Sequence, residues 1–429
     1  MDLAWISLAA LVLVMVVSCT TTVNAGLLAI ALAWILAIYI AAAVGSPLGM
    51  KDLVAGFPTD LCLTLVGVTL LFSQAQVNGT LARLARYAVR GCRGDVGLIP
   101  VMFLVVSAIL SSIGAGNIAG TALVAPLAMT LAHRTGIPPF LMAVMVAHGA
   151  LAGAVSPLAP TGIIANKLMQ NELHLSGFEV RLYLYNLVSN TLVALAGYLL
   201  FGGWRLFGKT YHEDKPLKSD GIEGDTSQET WTRANVTTLV VIGSLIIGVI
   251  FFQVHVGMGA MAGAVVLTLL KAADERKAMQ AIPWGVILMV CGVTVLTALL
   301  EKTGGLDRFA KLVSQISTPQ SAPGVIALLS GILSVYSSTS GVVLPALLPA
   351  VPKLIAQLGG GDPFAIACSV VVSGHLVDSS PLSTIGALCI ASSPVVEGRQ
   401  TLFNQMLAWG MAMVVVGAVA CYVLFGMGR

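Results

Sequence analysis

The chain repeats itself at one fixed spacing. The stretch PTDLCLTLVGVTLLFSQAQVNGTLARLA from Pro58 is answered by PWGVILMVCGVTVLTALLEKTGGLDRFA from Pro283. Gly67-Val68-Thr69 and Gly292-Val293-Thr294, Gly79 and Gly304, Leu81 and Leu306, and Arg83 and Arg308 all pair at an offset of 225. Pro139-Phe140 pairs with Pro363-Phe364, and Ser156-Pro157-Leu158 with Ser380-Pro381-Leu382, at 224. Two halves built on one unit in an apolar chain are the pattern of a membrane transporter.

The solvent of this chain is lipid. Hydrophobic residues make up 57% of 429 and charged ones 10%, with a mean hydropathy of +0.94, more apolar surface than a water-soluble fold can bury. A net charge of +3 without a basic, aromatic-rich tract argues against nucleic acid as a partner. The seven cysteines have no metal-ligand spacing and read as small core residues. The first apolar run, Leu3 to Cys19, lacks a basic leader and a cleavage site, so it is expected to stay as the first span.

Runs of about 20 apolar residues cross a 30 Å hydrocarbon core. The first half, 1–203, offers Leu3–Thr20, Ala25–Gly45, Leu61–Phe72 with its flanks, Pro139–Leu168 and Leu182–Phe201. Between the third and fourth lies 96–132, interrupted by Ser111-Ser112-Ile113-Gly114-Ala115-Gly116-Asn117, which predicts a re-entrant hairpin of two half-helices. After a polar linker at 204–234, expected to be a cytoplasmic tether, the second half at 235–429 repeats the plan. Its hairpin is expected at 323–358 and its broken span at 363–390. Five crossings per half is an odd number, so the second half must be inverted. The expected fold is therefore all-α and polytopic: two inverted repeats of five transmembrane helices and one re-entrant hairpin each, with broken helices at the midplane.

Lys and Arg set the orientation. Placing Arg83, Arg86, Arg90, Arg93, Arg134, the linker cations with Lys215 and Lys218, Lys271, Arg276, Lys277 and Arg399 on one side gives 14 against 8. The positive-inside rule makes that side cytoplasmic and puts both termini outside a bacterial inner membrane.

Irregular backbone at membrane depth survives only where it lines a cavity or is buried in protein. Four such places occur: the two hairpin tips and the breaks Ala154–Gly162 and Asp378–Gly386. A proline in a helix removes a donor and frees a carbonyl, while half-helix N-termini present N–H groups. Carbonyls with Ser and Thr hydroxyls suit Na⁺, and N–H groups suit a carboxylate. No Lys or Arg lies well inside a span; Lys167 sits near a span end, where it can snorkel. An anion bound here would therefore take its counter-charge from a cotransported cation, each ion contributing about 1.4 kcal/mol per tenfold gradient. Asp378 is the one deep carboxylate, a candidate for Na⁺ or a proton, or a helix cap. His375 could hydrogen-bond it on one helical face, and His148 lies in the matching stretch of the first half; each reads as packing or as a substrate or proton group. Tyr336 could donate to substrate or sit at an interface. The chain carries no paired carboxylates, metal-ligand cluster or activated nucleophile, which disfavours an enzyme, and nothing calls for an organic cofactor.

The stretch TTTVNAGLLAIALAWILAIYI together with the Pro58 segment resembles the dicarboxylate carrier MatC family, associated with malonate uptake. The two hairpins and two broken spans resemble the wider divalent anion/sodium symporters of the ion transporter superfamily. That resemblance implies a homodimer in which a transport domain carries substrate past a fixed scaffold by an elevator motion. It also implies a Ser-Asn-Thr triplet at each tip. Here the first tip keeps Asn117 within Gly116-Asn117-Ile118, and the second keeps hydroxyls in Ser338-Thr339-Ser340. By that matching, Ser112, Gly116, Asn117 and the Ala154–Ser156 region form one sodium site, and Ser337, Ser338, Thr339 and Ser340 with Asp378, Ser379 and Ser380 form the other. Asn117, Thr339, Ser340, Pro157, Thr161, Pro381 and Thr384 then face the substrate, with Tyr336, His148 and His375 as further candidates. The expected function is sodium-coupled import of a small dicarboxylate. Proton coupling or Na⁺/H⁺ antiport on the same architecture is the alternative, and a passive channel is a third.

Overall fold

The computed structural model describes residues 2–21, 23–46, 48–84, 95–209, 231–395 and 397–427. Arg86, Arg90, Arg93, Lys215 and Lys218, used in the charge argument, and linker residues 210–230 lie outside the described residues. Every regular element among the described residues is a helix. In the first half these are α1 (Leu3–Thr20), α2 (Ala25–Ala43), α3 (Met50–Ala55), α4 (Thr59–Val77), α5 (Leu98–Leu110), α6 (Gly116–Thr135), α7 (Pro139–Gly153), α8 (Pro160–Leu173) and α9 (Glu179–Leu200). The second half follows with α10 (Arg233–Phe252), α11 (Val256–Leu269), α12 (Glu275–Ala281), α13 (Trp284–Thr303), α14 (Gly305–Ser314), α15 (Ala322–Tyr336), α16 (Thr339–Leu358), α17 (Pro363–Val377), α18 (Thr384–Ala391) and α19 (Arg399–Gly426). Seven helical segments among the described residues are long and apolar enough to cross a membrane, and six shorter apolar helices accompany them.

The repeated glycine triplets explain themselves in three dimensions. A Cβ on Gly292 of α13 would lie 2.1 Å from the carbonyl oxygen of Gly26 on α2, and one on Gly67 of α4 would lie 2.2 Å from that of Gly257 on α11. Each motif marks where a helix of the other half crosses backbone against backbone. The threonine two places on, Thr69 or Thr294, bonds back to Leu65 O at 2.7 Å or Val290 O at 2.8 Å. Polar bonds between the halves lie at both ends. Asn78 donates to Thr238 Oγ1 at 2.7 Å and Gln74 to Thr268 Oγ1 at 2.9 Å at one end; Lys302 meets Asp52 and Arg308 meets Asp2, both at 2.6 Å, at the other.

Those two ends orient the hairpins. The α5–α6 hairpin opens at the Asn78 end, where Val96 N–H donates to Lys209 O. The α15–α16 hairpin opens at the opposite, Asp60 end, where Lys353 approaches Asp307. The helices sort into two groups. A frame holds α1–α4 with α10–α14, in which α2 packs on α13 and α4 on α11; a hairpin group holds α5–α9 with α15–α19. The hairpin group has its own small-residue seams: Gly149 and Gly153 seat α7 on the carbonyls of Leu104 and Ala108, while Ser330, Ser334 and Ser373 bond backbone carbonyls between α15 and α17 at 2.6–2.8 Å.

Lys302 bonded to Asp52 holds that carboxyl below its ordinary value of 3.8. A depressed folded value stabilises the native state above the unfolded carboxylate pKa and is lost as pH falls through the folded one, so the Asp52 contribution should vanish on acidification but persist through neutral pH. A Cβ at either crossing must separate two helix backbones. Gly292→Ala and Gly67→Ala should each lower stability by about 1–3 kcal/mol, read as the unfolding midpoint in detergent, whereas Gly79→Ala, whose Cβ would meet nothing within 4 Å among the described residues but whose φ is +76°, should lose only the cost of its backbone conformation.

Candidate functional site

Both broken helices are interrupted in the same way. Ser156 Oγ accepts from Leu158 N–H at 3.4 Å, and its counterpart Ser380 Oγ accepts from Leu382 N–H at 3.3 Å. The half-helix that follows folds back so tightly that a Cβ on Gly162 would fall 1.9 Å from Ser156 O, and one on Gly386 2.2 Å from Ser380 O. Pro157 and Pro381 thus stand inside a short hydroxyl-capped turn that leaves two half-helix N-termini at depth, at Pro160 and Thr384. Thr161 is buried, whereas Thr384 is exposed.

The first tip turns on Gly114 (φ +119°) and Gly116 (φ +77°), conformations that L side chains avoid. Gly116 faces the Pro160 ring, which brings the tip to the first break. Asn117 is nearly buried and its Oδ1 accepts from Ile118 N–H at 3.1 Å. Ser112 Oγ donates to Ala108 O at 2.6 Å and lies 2.9 Å from the Tyr183 hydroxyl. Of the expected carbonyl ligands, Ala154 O already accepts from Gly162 N–H and Ser156 O from Ala159 N–H. The buried hydroxyls of Ser107, Ser111 and Thr121 have no partner among the described residues.

The second tip turns on hydroxyls. Ser338 Oγ accepts from Gly341 N–H at 3.2 Å and lies 3.3 Å from Ser340 Oγ; Ser337 Oγ donates to Leu333 O; Thr339 Oγ1 is 2.6 Å from Ser334 Oγ, which donates to Gly374 O. Asp378 reaches across its break to accept from the Ser383 hydroxyl. Ser379 Oγ donates to Leu376 O at 3.3 Å. Tyr336 is 46% exposed beside the tip. Each post-break half-helix packs on the other repeat's hairpin, α8 on α16 and α18 on α6, so the two tips and two breaks form one cluster.

The histidines are placed differently from expectation. His375 does not bond Asp378: its Nδ1 lies 2.7 Å from Val371 O, one turn back along α17, and Nε2 is buried without a partner among the described residues. Helical side chains lean toward the N-terminus, which carries His375 away from the break. His148 is committed at both nitrogens. Trp409 Nε1–H donates to its Nε2 at 2.8 Å, so the ring proton sits on Nδ1 and is given to Asn190 Oδ1 at 2.9 Å. That neutral ring ties α7, α9 and α19 together. Asn190 in turn donates to Asn186, whose amide donates to the carbonyls of Leu151, at 2.8 Å, and Ala152, at 3.2 Å, beside the first break. No motif in the sequence marks Trp409 or Ser383, and the one available signal for Asn186 and Asn190 is their spacing, four apart in an apolar span. Lys167 is not left to snorkel, since its ammonium pairs with Asp60 of α4 at 2.5 Å.

Comparison with known proteins gives the same architecture. Residues 1–154 match the family model for the N-terminus of the dicarboxylate carrier protein MatC. An uncharacterized transporter of Mycobacterium tuberculosis is 24% identical over 315 residues, covering 71% of this chain and 70% of that protein. A second from the same species is 22% identical over 354 residues, covering 79% of each. The crystal structure of the YdaH transporter of Alcanivorax borkumensis, whose topology is described as unusual, superposes with a TM-score of 0.63 at 15% identity over 94% of this chain and 98% of that one.

Leu151 O also accepts from Ala154 N–H, so Asn186→Leu should strand the Ala152 carbonyl in a dry interior at about 1–3 kcal/mol. A lowered unfolding midpoint in Asn186→Leu, partly recovered in Asn186→Gln, is the expected outcome.

Proposed function

We propose that this chain, whose first 154 residues carry the MatC N-terminal region, is a secondary transporter that imports a small dicarboxylate together with Na⁺. The observation that carries the reading is the cluster of two tips and two breaks, in which N-terminal half-helix ends and hydroxyls converge with no Lys or Arg among the described residues. Half-helix N–H groups and dipoles suit a carboxylate; the hydroxyls of Ser337, Ser338, Thr339 and Ser340, the Asn117 amide and the Asp378 carboxyl are oxygen donors of the kind Na⁺ takes. The cation supplies the positive charge that the protein does not. Malonate is the diacid favoured by the family resemblance, and movement of the hairpin group past the frame is the motion favoured by the division into two groups. A dimer in the bacterial inner membrane with both termini outside belongs to the same reading.

Proton coupling is the second reading. One observation favours it: Asp378 is a fixed carboxyl at the second break where the first has Ala154, and it holds the Ser383 hydroxyl in a direct hydrogen bond.

Thermal shift of the purified protein against C2 to C6 carboxylates, with Na⁺ or choline, tests both. Malonate should raise the unfolding midpoint in Na⁺ and not in choline; an equal rise in both would remove sodium coupling. In reconstituted vesicles, Asn117→Ala and Thr339→Ala should each abolish labelled malonate uptake while the protein elutes as a folded species, and normal uptake by both would remove this site.

A further inference from the structure

The two tips touch the frame off centre, and on the same side. Under the repeat, Val68 of α4 and Val293 of α13 are equivalent and lie near the middles of their helices. Gly114 at the first tip meets the ring of Phe72, and Gly341 at the second meets the sulfur of Met289. Phe72 is four residues from Val68 toward the Asn78 end, and Met289 is four residues from Val293 toward that same end. At 1.5 Å per residue the hairpin group is therefore displaced by about 6 Å toward the Asn78 end.

The flanking half-helices carry the same asymmetry. On α8, Ile163 is 5% exposed and the helix packs on α4. At the equivalent place on α18, Ala387 is exposed, as are Thr384 and Ala391. An inverted repeat has a second arrangement in which the halves exchange these roles. In it the first tip meets Thr64 and the second meets Thr297, each eight residues from the present contact, a travel of about 12 Å. Room for the second tip exists already: a cavity of about 320 Å³ at the Asp60 end is lined by Thr294, Thr297 and Glu301 of α13, by Asp60, and by Lys167 and Pro349 of the hairpin group.

Ion pairs close that end. Lys167 of α8 meets Asp60 of α4 at 2.5 Å, with Asp60 also 3.0 Å from His255, and Lys353 of α16 lies 3.8 Å from Asp307 of α14. Both cations belong to the hairpin group and both carboxylates to the frame. We propose that the Asp60–Lys167 pair is a latch that holds the hairpin group at the Asn78 end, and that the cavity beside it receives the second tip when the latch opens. The inference rests on the two-group reading of transport, and it assigns Asp60 and Lys167 as positioning residues that touch no solute.

Disulfide trapping reads the two positions directly. Gly341→Cys with Met289→Cys should bridge in the present arrangement, the cysteine replacing the methionine that a Cβ at 341 would meet, and Gly341→Cys with Thr297→Cys should bridge in the other. Asp60→Asn and Lys167→Gln should each raise the ratio of the second bridge to the first on the order of fivefold, the scale of a partly exposed ion pair. The charge exchange Asp60→Lys with Lys167→Asp should bring the ratio back. Labelling of Ile163→Cys, quantified by peptide mass spectrometry without removing the native cysteines, should rise in step and serves if a double-cysteine protein fails to fold. An unchanged ratio and unchanged Ile163→Cys labelling in both latch variants would overturn the latch. Absence of the 341–297 bridge in protein that forms the 341–289 bridge would overturn the second position. Exchange between bridges in protein that takes up no carboxylate would instead leave this inference standing and remove the substrate reading.

Discussion

Four helices meet at two points where nothing larger than hydrogen fits. In lipid, helices gain little from hiding apolar surface on one another, so their association relies on close packing and on the few polar bonds that cross between them. The Gly26–Gly292 and Gly67–Gly257 contacts supply that closeness in duplicate, one toward each end. Because each contact joins one half of the chain to the other, the frame is not two domains side by side. It is one body woven from both, and this fixes the inverted relation of the hairpins that pack beside it.

Against that frame, the candidate site is made from backbone that has left the helix. The two breaks solve the same problem with the same parts, a serine capping the residue two places on and a glycine admitting the carbonyl of the turn. Their surroundings then diverge. The first break borrows its donors from Asn186, held in turn through Asn190 to the His148 ring; the second carries its own acid and hydroxyl in Asp378 and Ser383. Two copies of one fold thus present chemically unlike faces to a shared cluster.

Much of the architecture was legible because its causes are local or periodic. Apolar runs, glycine-rich interruptions and Ser-Pro breaks each report a backbone state through residues a few places apart, and the repeat links them over 225 residues. Short helices were not legible: α3, α12 and α14 lack the length of a span and the polarity of a loop, and packing against the longer helices is what orders them. Side-chain partners were least visible. His375 turns toward Val371 because the backbone carbonyl one turn back is nearer than Asp378, and His148 finds Trp409 261 positions away. Lys167 looked like a cation reaching for the headgroups because Asp60 stands more than a hundred residues earlier. No spacing rule connects such pairs; only the fold does.

The interweaving of the halves has a consequence for synthesis. Gly26 is ready to pack long before Gly292 exists, and Gly67 long before Gly257. At 5–20 residues per second, α2 waits roughly 15–50 s after leaving the ribosome for the helix it is shaped to meet. During that interval two narrow glycine faces lie open to lipid with no competitor of the same chain to fill them. Safe biogenesis then depends on the insertion machinery shielding an incomplete bundle until the second half arrives, and a chain cut between its halves would leave each fragment with two helices lacking their mates.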